Sequence, residues 1–492
     1  MTGPTAAPSG GPRRPRVGQV PGAAFFDLDR TLLRRASGPA LSEAMRETGV
    51  TSAALPLERA IFGYFDLFGE TLGSIALARQ GGLLVRGRAA DAFDEAAEVA
   101  ADRLAERVEP FARLLLDEHR RAGRPVVLAT TTPEHLIRPF ARRLGLDDVI
   151  GTRFEVRDGR FTGALDGPFV WSRGKLAAVR AWADEHDVDL ADSYAYSDSV
   201  YDLPLLHAVG EPGAVNPDPR LLGVAIARRW PVLHFDTSPG VVKVPVVGLE
   251  VQQVAMAVAR PELIPYARFE VEGVEHLPQT GGTILVGNHR SYFDFTTMLV
   301  AMRQAGRTGR FLGKKEIFDV PVLGQVMTAL GGIRVDRQGD DDERDDPLVP
   351  AARAIAGGEL VAILPEGTIP RGPDFFDPVL RGKPGAARLA ALTRAPVVPF
   401  ALSGTEQVWP RSARLPDVLA LRRPPTVRVR FGPPVELKHR SEARDTDRIM
   451  AAIADLLPDE LREPRRPTLA ELARTYPDGV VPDEDRAFAV DG

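Results

Sequence analysis

Two carboxylates stand two residues apart, at Asp27 and Asp29, directly after the apolar run AAFF. If the strand runs on through them, alternation places both on one face. Burying two like charges together is costly, and oxygen ligands so arranged suit a hard divalent cation such as Mg²⁺. Further chemistry-bearing groups follow other apolar runs. PVVLA (125–129) leads into Thr130, Thr131 and Thr132; DSYAY (192–196) leads into Asp198 and Asp202; Lys175 opens a helical stretch in RGK. A second constellation is VGNHRSYFDF (286–295), where Asn288 precedes His289 and Asp294 follows five positions later. Five residues turn an ideal helix by about 500°, so the two side chains share no helix face. They meet if His289 lies in the turn before a helix and Asp294 in its first turn. Ser291 as N-cap would put Asp294 at the third helical position, where it could equally close a capping box.

The elements that must position these groups can be read from periodicity. From about Pro21 to Phe235, short apolar runs (AAFF, PVVLA, DSYAY and GAVN) alternate with helical patterns such as PEHLIRPFARRLGL and GKLAAVRAWADEHDV. That order predicts a parallel sheet covered by helices, which presents ligands at the carboxyl ends of its strands. Residues 36–108, rich in Ala and Leu, predict an inserted helical cap. A second alternating section begins near Ala267, with GTILVGN, GGIRVDR, ELVAILPEG and APVVPFALSG as strands. After about Arg440 come a polar helix and a tail expected to be loose. The acidic run DDDERDD (340–346) reads as a solvated loop. No internal repeat is visible.

At 492 residues the chain exceeds one ordinary core, so two or more domains are expected. Hydrophobic residues make up 44% and charged residues 26%, the balance of a globular protein, and the net charge of −5 argues against a nucleic-acid partner. There is no cysteine, which excludes disulfides, thiolate nucleophiles and cysteine metal sites. No stretch approaches the ~18 uninterrupted apolar residues of a spanning helix. The Pro-, Gly- and Arg-rich start lacks an apolar core and reads as a disordered leader.

Taken in order, FDLDRT, ATTTP, RGK and YSDSVYDLP resemble the haloacid dehalogenase superfamily of phosphatases, in particular the helical-cap subfamily of the phosphoserine phosphatases. The resemblance covers roughly residues 22–235 and implies roles residue by residue. Asp27 would be the nucleophile and Asp29 the acid and base. Thr130 would bond the phosphoryl group, with Thr131 and Thr132 as neighbouring registers, and Lys175 would offset its charge. Mg²⁺ would be held by Asp27, Asp198 and the backbone carbonyl of Asp29, with Asp202 in support of the metal or of Lys175. The family often has Ser where Thr130 stands; the hydroxyl is kept. The alternative for Asp202 is a helix-start residue, and for Lys175 a surface lysine opening a helix.

Downstream, the His289-x4-Asp294 block, GGIRVDR, ILPEGT and APVVPFAL resemble, in that order, the glycerolipid acyltransferases that include 1-acylglycerol-3-phosphate acyltransferase. KPGAARLA (383–390) fits the stretch between the last two blocks. The resemblance spans about residues 267–435. It implies that His289 takes the proton of an acceptor hydroxyl, that Asp294 holds the imidazole in the right tautomer, and that the alcohol attacks an acyl-CoA or acyl-carrier-protein thioester directly. Arg337, Glu366, Gly367 and Thr368 would shape a pocket for the acceptor's glycerol-phosphate. Where the family commonly has Arg after Glu-Gly-Thr, Ile369 and Pro370 intervene here before Arg371, which leaves the acceptor more open.

These readings predict an α/β chain: a doubly wound parallel sheet with an inserted helical cap, then a second α/β acyltransferase domain. The expected divisions are a leader (1–20), a phosphatase domain (21–238, cap about 36–108), a linker (239–265), an acyltransferase domain (266–440) and a terminal helix with tail (441–492). In the linker, Val247, Val251, Val254 and Val258 share one side of a helix expected after Pro245. That stripe would rest on a membrane surface or pack on its own domain. The expected setting is the cytoplasm, peripheral to the inner face of the cell membrane. The function expected is a Mg²⁺-dependent phosphomonoester hydrolase joined to an acyltransferase making phosphatidate. The alternative is an acyltransferase for another lysolipid carrying an idle phosphate-sensing or scaffolding module.

Overall fold

AAFF forms the first strand because each of its residues has an apolar face to meet. Ala24 and Phe26 enter one buried cluster, with Leu128, Ile137 and Phe140, while Ala23 and Phe25 enter the opposite one, with Val127, Val179 and Trp182. A strand apolar on both sides belongs in the middle of a helix-covered parallel sheet. The computed structural model describes residues 22–51, 85–239, 241–244, 248–319, 323–335 and 346–490. The expected leader, residues 52–84 of the expected cap, Val247, Arg337 and most of DDDERDD lie outside the described residues. The chain divides into two compact units, Met1–Asp236 and Thr237–Gly492.

In the first unit the strands are β1 (Ala24–Phe26), β2 (Val126–Pro133), β3 (Asp148–Thr152), β4 (Phe154–Arg157), β5 (Arg160–Leu165), β6 (Tyr194–Ser197), β7 (Glu211–Val215) and β8 (Val232–Leu233). Six of them form a sheet in the order β3-β2-β1-β6-β7-β8, every pairing parallel. The chain turns from one side of β1 to the other, so the crevice beyond the ends of β1 and β6 is where a doubly wound sheet receives a ligand. β4 and β5 make a separate antiparallel hairpin. Helices Gly38–Glu47 and Asp94–Glu106 of the inserted segment, with Phe93 from the turn before the second, bury Leu41, Ala44, Ala97 and Ala100 in a cluster that includes Phe161 of that hairpin.

In the second unit β9 (Arg268–Glu272), β10 (Thr283–Gly287), β11 (Gly309–Lys314), β12 (Gly332–Val335), β13 (Leu360–Ile363), β14 (Val397–Ser403) and β15 (Thr426–Phe431) form one sheet ordered β12-β11-β13-β10-β14-β15-β9. All neighbours are parallel except β14 and β15. Leu285 and Phe400 face one buried layer, and Ile284, Val286 and Val361 the other. Gly287 is required where it stands: an added Cβ would lie 2.2 Å from the Phe400 ring.

Two expectations are corrected. The linker helix spans Val251–Val258, beginning later than Pro245 because Glu250 and Gln253 close a capping box there. It buries Gln252 and Met256, while Val254 and Val258 are exposed, so the valine stripe is not its packing face. Gln252 donates to the carbonyl of Gly309 (2.7 Å) and accepts from its N–H (3.2 Å), and Arg310 bonds Glu250 (2.7 Å), Glu359 (2.6 Å) and Thr237 (2.7 Å). The segment is therefore stitched to β11 and is part of the second unit. The C-terminal stretch is likewise not loose. The expected helix is present as Glu442–Asp455, burying Ile449, Met450 and Ile453 beside β14 and β10, and the stretch beyond it is held by Leu472, Tyr476 and Val481, which cluster with Phe376.

Candidate active sites

β1 ends at Phe26, one residue before the first carboxylate. Asp27 is still extended, but Asp29 and Arg30 sit in an irregular turn, Arg30 with a left-handed φ of 60°. The two acids thus follow the end of the strand, as expected, but a turn and not strand alternation sets how Asp29 stands to Asp27. Asp27 is anchored by its N–H to the carbonyl of Tyr196 (3.0 Å), and Asp29 accepts from the N–H of Ser37 (2.6 Å).

Lys175 decides what this cluster is. It is almost fully buried, and its Nζ donates to Asp27 Oδ1 (2.9 Å) and Asp202 Oδ2 (2.6 Å). A surface lysine opening a helix would do neither. Asp202 is equally buried, accepts also from Ser197 Oγ (2.7 Å), and makes no side-chain cap bond to the helix that follows it. The helix-start alternative for Asp202 therefore does not hold. Burial, reinforced by the negative charges of Asp202 and Asp29, pushes the Asp27 carboxyl up to about 7 against the pull of Lys175.

Thr130 is buried in β2 where its register with β3 becomes irregular, between Ala129 and Pro133, and accepts from the N–H of Thr132 (3.2 Å). Thr131 donates instead to the carbonyl of Val170 (3.0 Å), and Thr132 lies near Ser37 Oγ (3.4 Å). Asp198 lies beyond the end of β6, the strand paired with β1, and is paired with Arg30 Nε (3.2 Å). Sequence reasoning had not singled out Arg30; its only signal was its place inside FDLDRT.

Among the described residues no three acidic or imidazole side chains converge on a point a metal could occupy. Mg²⁺ asks for less: one or two carboxylates, with other oxygens completing the shell. Asp27 and Asp198 at adjacent strand ends, with a backbone carbonyl at Asp29, supply that kind of donor set. The residues present fit the ion in kind, with Arg30 as the positive partner of Asp198 in this arrangement.

The second cluster lies just beyond β10 and β13. Asn288 spans to β14, donating to the carbonyl of Leu402 (2.9 Å) and accepting from its N–H (2.7 Å), which fixes the turn that carries His289. His289 Nδ1 is 2.7 Å from Asp294 Oδ2, leaving Nε2 as the acceptor nitrogen. The same Asp294 oxygen accepts from the N–H groups of Arg290 (2.7 Å) and Ser291 (3.0 Å). The helix begins at Asp294 itself and not at the residue after Ser291, whose hydroxyl accepts from Phe293 N–H and donates to the carbonyl of Trp409 (2.6 Å). Both readings of Asp294 thus merge: one carboxylate oxygen ties the loop and holds the ring.

Glu366 was expected to line a pocket. Its carboxylate accepts from the N–H of His289, so it also fixes the histidine's backbone. Burial pushes the Glu366 carboxyl up to about 7, against the opposing effects of that bond and of His289 and Arg290. Gly367 has a φ of 71°, the left-handed turn that glycine adopts freely. Thr368 is exposed and, with Glu366, Asp374 and Arg381, lines a pocket of about 150 Å³. Arg371 is exposed, its charge bearing on the Tyr476 phenol. Arg290, not anticipated, lays its guanidinium 4.1 Å from the Phe375 ring centroid and pairs with Glu406 (3.3 Å).

Comparison with known proteins agrees with this division. The family described as haloacid dehalogenase-like hydrolase matches residues 24–207, and the family described as acyltransferase matches residues 268–403. The "Inhibition of morphological differentiation protein" of Streptomyces azureus is 34% identical over 225 residues, covering 43% of this chain and 78% of that protein. Phosphoserine phosphatase SerB1 of Mycobacterium tuberculosis is 35% identical over 244 residues, covering 48% of this chain and 77% of that protein. Among solved structures, the 1-acyl-sn-glycerophosphate acyltransferase PlsC of Thermotoga maritima is 21% identical, covering 42% of this chain and 79% of its own, with a TM-score of 0.31. A likeness that weak carries no argument, and the second assignment stands on the family match. Through residues 24–207 the chain belongs to the haloacid dehalogenase-like hydrolase family, and through residues 268–403 it carries an acyltransferase domain.

Proposed function

We propose that the chain is a bifunctional enzyme of phospholipid synthesis. In this reading the second unit acylates 1-acylglycerol-3-phosphate to phosphatidate, and the first is a Mg²⁺-dependent phosphomonoester hydrolase. The observation that carries the acyltransferase is the His289–Asp294 pair at 2.7 Å, with Nε2 left as acceptor beyond the ends of the central strands. Nε2 takes the proton of the acceptor hydroxyl as its oxygen attacks the thioester carbonyl. Asp294 holds the tautomer and stabilises the imidazolium, and the thiolate of CoA or of the carrier protein leaves. Arg337, Thr368 and Arg371 are assigned to the acceptor's phosphate, with Glu366 and Gly367 shaping the turn beside it. Acceptor and donor rest on family resemblance. The lipid is drawn from a membrane surface to which the protein binds peripherally; among the described residues no helix is long and apolar enough to cross a membrane.

In the first unit, Asp27 attacks phosphorus, Asp29 protonates the leaving oxygen and later activates water, and Thr130 and Lys175 hold the phosphoryl oxygens. Bound at Asp27, Asp198 and the carbonyl of Asp29, Mg²⁺ would supply charge neutralisation for the anionic phosphate. Asp202 keeps Lys175 in place.

The test is a pair of variants assayed for both reactions. His289→Ala should lower acyl transfer from oleoyl-CoA to lysophosphatidate by at least ~10³-fold and leave release of phosphate from an aryl phosphate unchanged. Asp27→Asn should do the reverse. Transfer that survives in His289→Ala, or prefers a lysolipid without a phosphomonoester, refutes the reading for the second unit. Equal phosphate release by Asp27→Asn and wild type would make the first unit a scaffold.

A further inference from the structure

From the rim of the acyltransferase site rises a loop whose composition has no place in the chemistry just described. In residues 410–425, PRSARLPDVLALRRPP, Leu415 is 75% exposed, Val418 48%, Leu419 84% and Leu421 56%. Single exposed leucines are ordinary; four large apolar side chains within seven residues are not. The loop is nevertheless built. Trp409, at its base, accepts from Ser291 through its carbonyl and donates from Nε1 to the carbonyl of Ala413 (3.0 Å). Asp417 N–H returns to the carbonyl of Val408 (2.8 Å), and Arg411 bonds the carbonyl of Ile369. One foot therefore stands on the His289 turn and the other on the segment that follows Glu-Gly-Thr.

Charge selects the occupant. Arg414, Arg422 and Arg423 flank the apolar tip and are exposed, while Asp417 is the single acid within it, in a chain whose net charge is −5. Exposed leucines ringed by arginines match a bilayer surface, the apolar tip entering the acyl boundary and the guanidinium groups meeting anionic headgroups. Half-exposed Tyr292, edge-on to Trp409 at 5.7 Å, adds an amphipathic ring beside the base.

We propose that this loop is a membrane-docking element that inserts Leu415, Val418, Leu419 and Leu421 into an anionic bilayer and so sets the His289 site against the lipid surface. The inference rests on the lysophospholipid reading for its purpose, but its test does not depend on that reading. Full-length protein should float with vesicles of phosphatidylcholine and phosphatidylglycerol, and much less with phosphatidylcholine alone. Leu419→Trp should show a blue-shifted emission on the same vesicles. The triple variant Leu415→Ser, Leu419→Ser, Leu421→Ser should lose vesicle partitioning by about tenfold or more. It should keep wild-type transfer to a short-chain lysophosphatidate dispersed as monomers.

Equal flotation of wild type and triple variant overturns the proposal, as does an unshifted Leu419→Trp spectrum. A wild-type dimer that the triple substitution dissociates, without vesicle binding, overturns it in favour of a second copy of this chain. Vesicle binding through the loop by a protein that acylates no lysophosphatidate supports the docking surface while refuting the acceptor.

Discussion

Glu366 shows how one residue links the site to the solvent's pH. Its carboxyl, pushed from 4.5 up to about 7, binds a proton more tightly folded than unfolded. Its contribution to stability is therefore full below about pH 4.5 and is lost as pH rises through 7. A shift of that size corresponds to about 3 kcal/mol, reduced to about 2 by partial exposure. Thermal unfolding from pH 4.5 to 8 should show Glu366→Gln gaining on wild type as pH rises; parallel curves would refute this. At this scale the sequence was most legible where burial and charge conflict. Asp27 announced itself as a charge directly after an apolar run, whereas Lys175 and Asp202 were legible only as members of RGK and YSDSVYDLP, each with an ordinary alternative that burial removes. Arg30 and Arg290 did not, because arginine beside a motif is usual at a surface, and only the fold shows Arg30 on Asp198 and Arg290 over Phe375.

Elements were legible in proportion to how apolar they are. β10, β13 and β14 are buried throughout and stand out as continuous runs. β9 and β15 escaped notice because Arg428 and Arg430 alternate with buried Val427, Val429 and Phe431, their charges paired across to Glu270 and Glu272. β8, with two residues, leaves no period to read. The linker's valines left two readings open, and the exposure of Val254 and Val258 removes packing on their own domain, because the buried side is that of Met256 and Gln252, the latter satisfied twice by Gly309. Arg310 holds the same segment. Burial works against its charge, but Glu359 and Glu250 more than compensate and hold the guanidinium above its usual value. Removing it by Arg310→Ala strands two acids and should cost about 3–5 kcal/mol, measurable by denaturant unfolding. A loss under about 1 kcal/mol would mean the network is dispensable.

For the whole molecule, two sets of motifs in series predicted two α/β units, and two units with separate cores are present. What the pattern could not give was the boundary. It falls after Asp236 because Thr237 and Ser238 already bond Glu359 of the second unit. The expected tail was misjudged for a related reason: Leu472, Tyr476 and Val481 are too widely spaced among prolines and acids to advertise a core. Separate cores predict two thermal transitions, with Arg310→Ala lowering one and leaving the other in place. Calorimetry that shows a single transition, shifted whole by the substitution, would contradict this.

Asp294 carries a last consequence. A single oxygen atom serves the imidazole and two amide hydrogens of the preceding loop. Aim and rigidity are therefore not separable traits for selection to adjust in turn. Any drift that slackens the peptide from Arg290 to Ser291 swings the ring as well, so variation should be tolerated least in the very stretch that most resembles an ordinary helix start.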